Sequence, residues 1–66
     1  MTRTTAKAAR LADLADRLAL RPHGVAELAD RYGVTRRTIE RDLADLRDMG
    51  HALIEEGHRY ALPDRG

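Results

Sequence analysis

Residues 24–43, GVAELADRYGVTRRTIERDL, hold two apolar rhythms of helical period with a single glycine between them. In the first, Leu28, Ala29 and Tyr32 share one face; in the second, Ile39 and Leu43 begin a stripe that Leu46 continues. Gly33 follows the first run directly, where a left-handed residue ends a helix at least cost. Thr35 stands where the second run needs an N-cap. The pattern predicts helices over about 25–32 and 36–49, the second closed by Gly50. Small Ala29 lets the second helix cross closely over the first, and Tyr32 and Val34 pin the corner to a core. This is the helix-turn-helix signal.

The rest of the chain has to complete a core around that corner. Sixty-six residues make one domain, 1–66, which buries only about 60% of the surface of its unfolded chain. Phe and Trp are missing, so the core comes from Leu, Ala, Val, Ile, Met and two Tyr. Leu11, Leu14 and Leu18, with Ala8 and Ala15 beside them, predict a first helix over about 5–20, capped by Thr4 or Thr5. Arg21-Pro22 ends it, because proline disfavours helical geometry in the residue before it. The tail, HALIEEGHRYAL, reads as a hairpin over about 52–62 with a type I′ turn at Glu56-Gly57. That register sets Leu53 opposite Tyr60 and Ile54 opposite Arg59. By period two, Leu53, Tyr60 and Leu62 pack on the helices while Ile54 and Arg59 point outward. The fold class is mainly α, three helices with a small β-hairpin.

The net charge is only +1, so the distribution of charge matters more than its sum. On the predicted third helix, the side opposite Ile39, Leu43 and Leu46 carries Arg37, Arg41, Ala44 and Asp48, flanked by Thr38 and Glu40. Its first two turns are basic and its end is acidic. The N-terminal part of the second helix of such a motif meets base edges in the major groove of DNA. Arg37 and Arg41, one turn apart, can reach guanine O6 and N7 bidentately. Arg36, nearer the flank, suits phosphate, as do the hydroxyls of Thr35 and Thr38. The chain has no Asn or Gln for the usual bidentate reading of adenine, which predicts guanines at the positions read. Asp42, at the edge of the buried stripe, is expected to pair with an arginine of helix 1 or helix 2. Asp45 and Asp48 are expected in solvent, Arg31 and Arg47 at the surface or in ion pairs. Arg3, Lys7 and Arg10 form a basic patch at the start of helix 1.

The run YGVTRRTIERDLADLRDMG, followed by a short hairpin with RYAL, resembles the winged helix-turn-helix domain of DeoR-type bacterial transcriptional regulators. It is similar also to the amino-terminal domains of WYL-type regulators and of the biotin repressor. The resemblance covers about residues 8–63. It implies sequence-specific binding of double-stranded DNA, usually as a dimer, in transcription regulation. It assigns the contacts to Thr35, Arg36, Arg37, Thr38 and Arg41, and the wing contacts to His58 and Arg59. The chain departs from the family in three places. Family members usually carry a larger C-terminal domain for effector binding or dimerisation, and these 66 residues hold none, so its sensing and dimer contacts do not carry over. The wing tip carries Glu55 and Glu56, which phosphate would repel. Gly24 stands where Ser or Thr would better cap helix 2.

Other classes of function find little support. Without cysteine there are no disulfides or thiolate sites, and His23, His51 and His58 match no ligand spacing, so neither metal nor cofactor is expected. No Ser or Cys nucleophile and no glycine-rich phosphate loop point to an enzyme. No apolar run approaches a membrane span, and the N-terminus lacks the apolar stretch of a signal peptide, which together predict a cytoplasmic protein. The alternative to DNA binding is a protein-interaction or dimerisation module on the same fold, with exposed Ile54 at its interface.

Overall fold

The corner at Gly33 forms as the sequence predicts. In the computed structural model, which describes the backbone of residues 3–63 and the side chains of residues 7–63, Gly33 has φ 67°. Its amide donates to the Asp30 carbonyl at 3.3 Å and the Val34 amide to that of Ala29 at 2.9 Å. These two bonds make a Schellman motif, and Val34 packs against the core that holds Ala29. Thr35 then caps the next helix, its Oγ1 accepting from the Thr38 amide at 3.1 Å.

The elements run α1 (Arg3–Leu20), β1 (His23–Gly24), α2 (Val25–Tyr32), α3 (Arg36–Asp48), β2 (Ile54–Glu56) and β3 (Arg59–Ala61). Helix α1 begins two residues before the predicted start. The expected caps Thr4 and Thr5 are a correction: both lie inside the first turn of α1, past the place of an N-cap, and the Arg3 side chain of the basic patch lies outside the described side chains. Leu14 and Leu18 of α1, Leu28 and Ala29 of α2, and Ile39, Leu43 and Leu46 of α3 form the buried core. Leu11, Ala15, Val25, Tyr32, Val34, Leu53, Tyr60 and Leu62 pack around it. Ala8 is a correction: it is exposed, because the first turns of α1 project past the core.

Two further corrections concern the sheet. It has three antiparallel strands in the order β1-β3-β2, and the sequence pattern indicated only two. Strand β1 is a two-residue segment pairing His23 with Tyr60 and Gly24 with Arg59, too short to carry a period. The hairpin turn lies at Gly57-His58, and the pairs are Ile54 with Ala61, Glu55 with Tyr60 and Glu56 with Arg59. A turn at Glu56-Gly57 would need positive φ at Glu56, and no described residue other than glycine has one. Gly57, at φ 64°, instead takes the first central position, as a type II′ turn requires. The register moves by two residues, an even number, so the faces survive. Leu53, Tyr60 and Leu62 pack on the core while Ile54 and Arg59 remain exposed. A bond of 3.0 Å from the Leu62 amide to the Leu18 carbonyl ties the hairpin to α1. Three helices with this small sheet make the architecture of a winged helix-turn-helix.

Candidate nucleic-acid interface

Helix α3 turns about 100° per residue and so carries three rows besides its buried stripe. The outer row is Arg37, Arg41, Ala44 and Asp48, all exposed. The row toward α1 is Thr38, Asp42 and Asp45. The row toward the wing is Arg36, Glu40 and Arg47, also exposed. Arg36, Arg37 and Arg41 line one shallow depression with Glu40 and Ala44. Among the described residues none of these three arginines enters an ion pair, whereas Arg10, Arg17 and Arg21 of the α1 region all do. Arg31, Arg47 and Arg59 are likewise unpaired among the described residues, so three of the six such arginines lie on the first two turns of α3.

The acids on the inner side of α3 are held by α1. Asp42 is 1% exposed and takes a two-pronged grip from Arg10, Nε to Oδ2 at 2.6 Å and Nη2 to Oδ1 at 3.2 Å. The expected partner from helix 1 or helix 2 is thus Arg10, and the bond to Asp42 raises the pKa of its guanidinium. Asp45, expected in solvent, is half-buried and pairs with Lys7 at 2.8 Å. Lys7, Arg10, Thr38, Arg41, Asp42 and Asp45 border one polar cleft between α1 and α3. Sequence periodicity could flag Lys7 and Arg10 as basic, but only the crossing of α1 over α3 shows that they neighbour Arg41.

The remaining expected site residues are distributed as follows. Thr35 is exposed at the helix start, its hydroxyl 3.0 Å from that of Thr38. His58 is at the turn of the wing and shares a groove with Arg36, Glu40, Glu55 and Tyr60. Arg59 is exposed on β3, cross-strand from Glu56, and borders none of these α3 depressions. The wing side of α3 is thereby mixed in charge, and the outer row is basic at its start.

The scaffold behind the interface is pinned by polar contacts. His23, 2% exposed, places Nδ1 3.0 Å from Glu27 Oε2, and Glu27 Oε1 accepts from the Gly24 amide at 3.3 Å. These two bonds, His23 first, lower the Glu27 pKa. At the other end of α2, the Tyr32 hydroxyl donates to Asp13 Oδ2 at 2.6 Å, and Arg17 Nε donates to the same oxygen at 2.9 Å. Burial first, then the bond to Asp13, pushes the Tyr32 pKa to about 12, while the Asp13 pKa is lowered, chiefly by that hydroxyl. Among the described residues every buried side-chain nitrogen and oxygen has a partner, no cluster of His, Asp or Glu could hold a metal ion, and no helix is long and apolar enough to cross a membrane.

A family model described as an HTH domain matches residues 10–60, from the Asp42-binding arginine of α1 to the second strand of the hairpin. No curated protein and no solved structure matches the chain.

Proposed function

Since the chain belongs to the HTH domain family, which points to DNA binding and transcription regulation, we propose that it binds double-stranded DNA sequence-specifically with α3 in the major groove. Arg37 and Arg41 read base edges, with guanine the favoured partner. Arg36 and the hydroxyls of Thr35 and Thr38 hold phosphate. The positive end of the α3 dipole adds to the attraction. His58 and Arg59 are the wing's candidates for a backbone contact, opposed there by Glu55 and Glu56. The run YGVTRRTIERDLADLRDMG supports placing it with the DeoR type, a class of bacterial regulators. The observation that carries this reading is the exposed arginine row on the first two turns of α3, without ion-pair partners among the described residues. As a dimer the domain would favour half-sites about one helical turn apart.

Fluorescence anisotropy with labelled duplex, at low and moderate salt, tests it. Saturable binding that weakens with salt and drops at least about tenfold in Arg37→Ala/Arg41→Ala supports it, since each base-reading arginine is worth about 1–3 kcal/mol. A second reading, as a protein-docking or dimerisation module, rests on exposed Leu20 (83%), Met49 (63%) and Ile54 (43%). It is favoured if no duplex binds while sedimentation shows a dimer that Ile54→Glu dissolves.

A further inference from the structure

A helix with its side chains is about 10–12 Å across and the major groove about 12 Å wide. A helix seated there brings both flanks close to the two phosphate strands that border the groove. The flanks of α3 differ in charge. The groove on the wing side sets Arg36 against Glu40 and Glu55, a balance of −1 with His58 neutral. The cleft on the α1 side sets Lys7, Arg10 and the outer-row Arg41 that borders it against Asp42 and Asp45, a balance of +1 in a cleft open to solvent.

Resting on the DNA-binding reading, we propose that the cleft between α1 and α3 is a phosphate clamp, in which Lys7 and Thr38 hold one backbone phosphate of the bound duplex while the base-reading Arg41 at its rim adds its charge to the attraction. Lys7 is half-exposed, and its ammonium has three donors, so it can keep Asp45 and still donate to a phosphate oxygen. Arg41 enters no ion pair among the described residues. Thr38 offers a hydroxyl 3.0 Å from that of Thr35, and either of the two can donate outward. Arg10 is a positioning residue: both bonds that it makes go to buried Asp42, which masks the one carboxylate that would otherwise repel the ligand from within. Asp45 has the opposite effect, tethering Lys7 while repelling phosphate.

The test uses the full chain, a labelled duplex and a salt series from 50 to 200 mM, with thermal melting of each variant as the check on folding. For the intact chain, the logarithm of affinity falls with the logarithm of salt at about 0.9 per phosphate held. Lys7→Gln, which removes the charge and keeps an N–H donor on a side chain one atom shorter, should bind more weakly and flatten that slope by about 0.9. Its deficit against the intact chain then narrows about 3.5-fold across the series. Base preference should not change. Asp45→Asn should bind about threefold more tightly at low salt, since one repelling charge beside the phosphate is gone. A purely structural Lys7–Asp45 pair predicts otherwise: both variants lower the melting temperature and leave the slope alone. An unchanged slope in Lys7→Gln, or weaker binding by Asp45→Asn, overturns the clamp while leaving groove recognition by Arg37 and Arg41 standing. Failure of the intact chain to bind any duplex overturns the DNA-binding reading, and the clamp with it.

Discussion

Asp42 and His23 are the two polar residues buried among those described, and each is held by one neighbour that the rest of the molecule depends on. Removing Arg10 leaves the Asp42 carboxylate buried without its cation. Arg10→Ala should therefore cost about 3–5 kcal/mol in a denaturant melt, while Arg10→Met/Asp42→Leu, which removes both charges, should cost far less. Equal losses in the two would show that the pair itself, and not an orphaned charge, carries the stability. That Asp42 needs an arginine was legible from its place at the edge of the α3 stripe. Which arginine was not, because the choice depends on where α1 crosses. Gly24 tells a smaller story. Its backbone is extended, φ −84° and ψ 155°, and an added Cβ would meet only the His58 carbonyl at an ordinary 3.5 Å. Gly24→Ser should thus stabilise the fold by about 0.5–1 kcal/mol, through a hydroxyl cap on α2 and a stiffer unfolded chain.

At the scale of elements, the corner between α2 and α3 is built from local rules, which is why it can be read off the chain. Gly33 supplies the left-handed residue and Thr35 the cap, and both bounds of α2 coincide with the predicted ones. Thr35→Ala should cost about 1 kcal/mol by chemical denaturation. Gly33→Ala should cost about as much again, since φ 67° strains any residue with a Cβ. The sheet obeys different rules. The pairing of β1 with β3 is long-range, and the register of the hairpin turned on which of two positions glycine fills. Period two fixes faces but not partners, so Leu53, Tyr60 and Leu62 were legible as inward while their cross-strand partners were not. The ends of α2 also respond to pH. Asp13 and Glu27 have folded pKa values below their ordinary 3.8 and 4.5, so the stability they lend is complete above those values and is lost as pH falls through the lowered ones. Asp13→Asn and Glu27→Gln should each shallow the acid limb of a melting-temperature profile. Tyr32 runs the other way: its contribution is complete below 10.0 and is lost as pH rises through about 12. Absorbance titration of a Tyr60→Phe variant should show the remaining phenol ionising near that upper value, and ionisation near 10 would mean that Tyr32 is neither packed against the core nor bonded to Asp13 in solution.

Over the whole molecule, a net charge of +1 conceals an uneven pairing of charges among the described residues. Carboxylates on α1 and α2 neutralise Arg17 and Arg21, carboxylates on α3 neutralise Arg10 and Lys7, and the arginines on the outer and wing-side rows of α3 are left to solvent. One core positions three helices so that the outer row of α3, with Arg37 and Arg41, faces solvent. Whether that row reads sequence is decided most directly by selecting binding sites from randomised duplexes with the intact chain and with Arg41→Ala. The account predicts that the intact chain enriches sites with a fixed guanine, and that the arginine variant loses that guanine while keeping its other preferences. Enrichment of pure A·T sites, unchanged in Arg41→Ala, would contradict it.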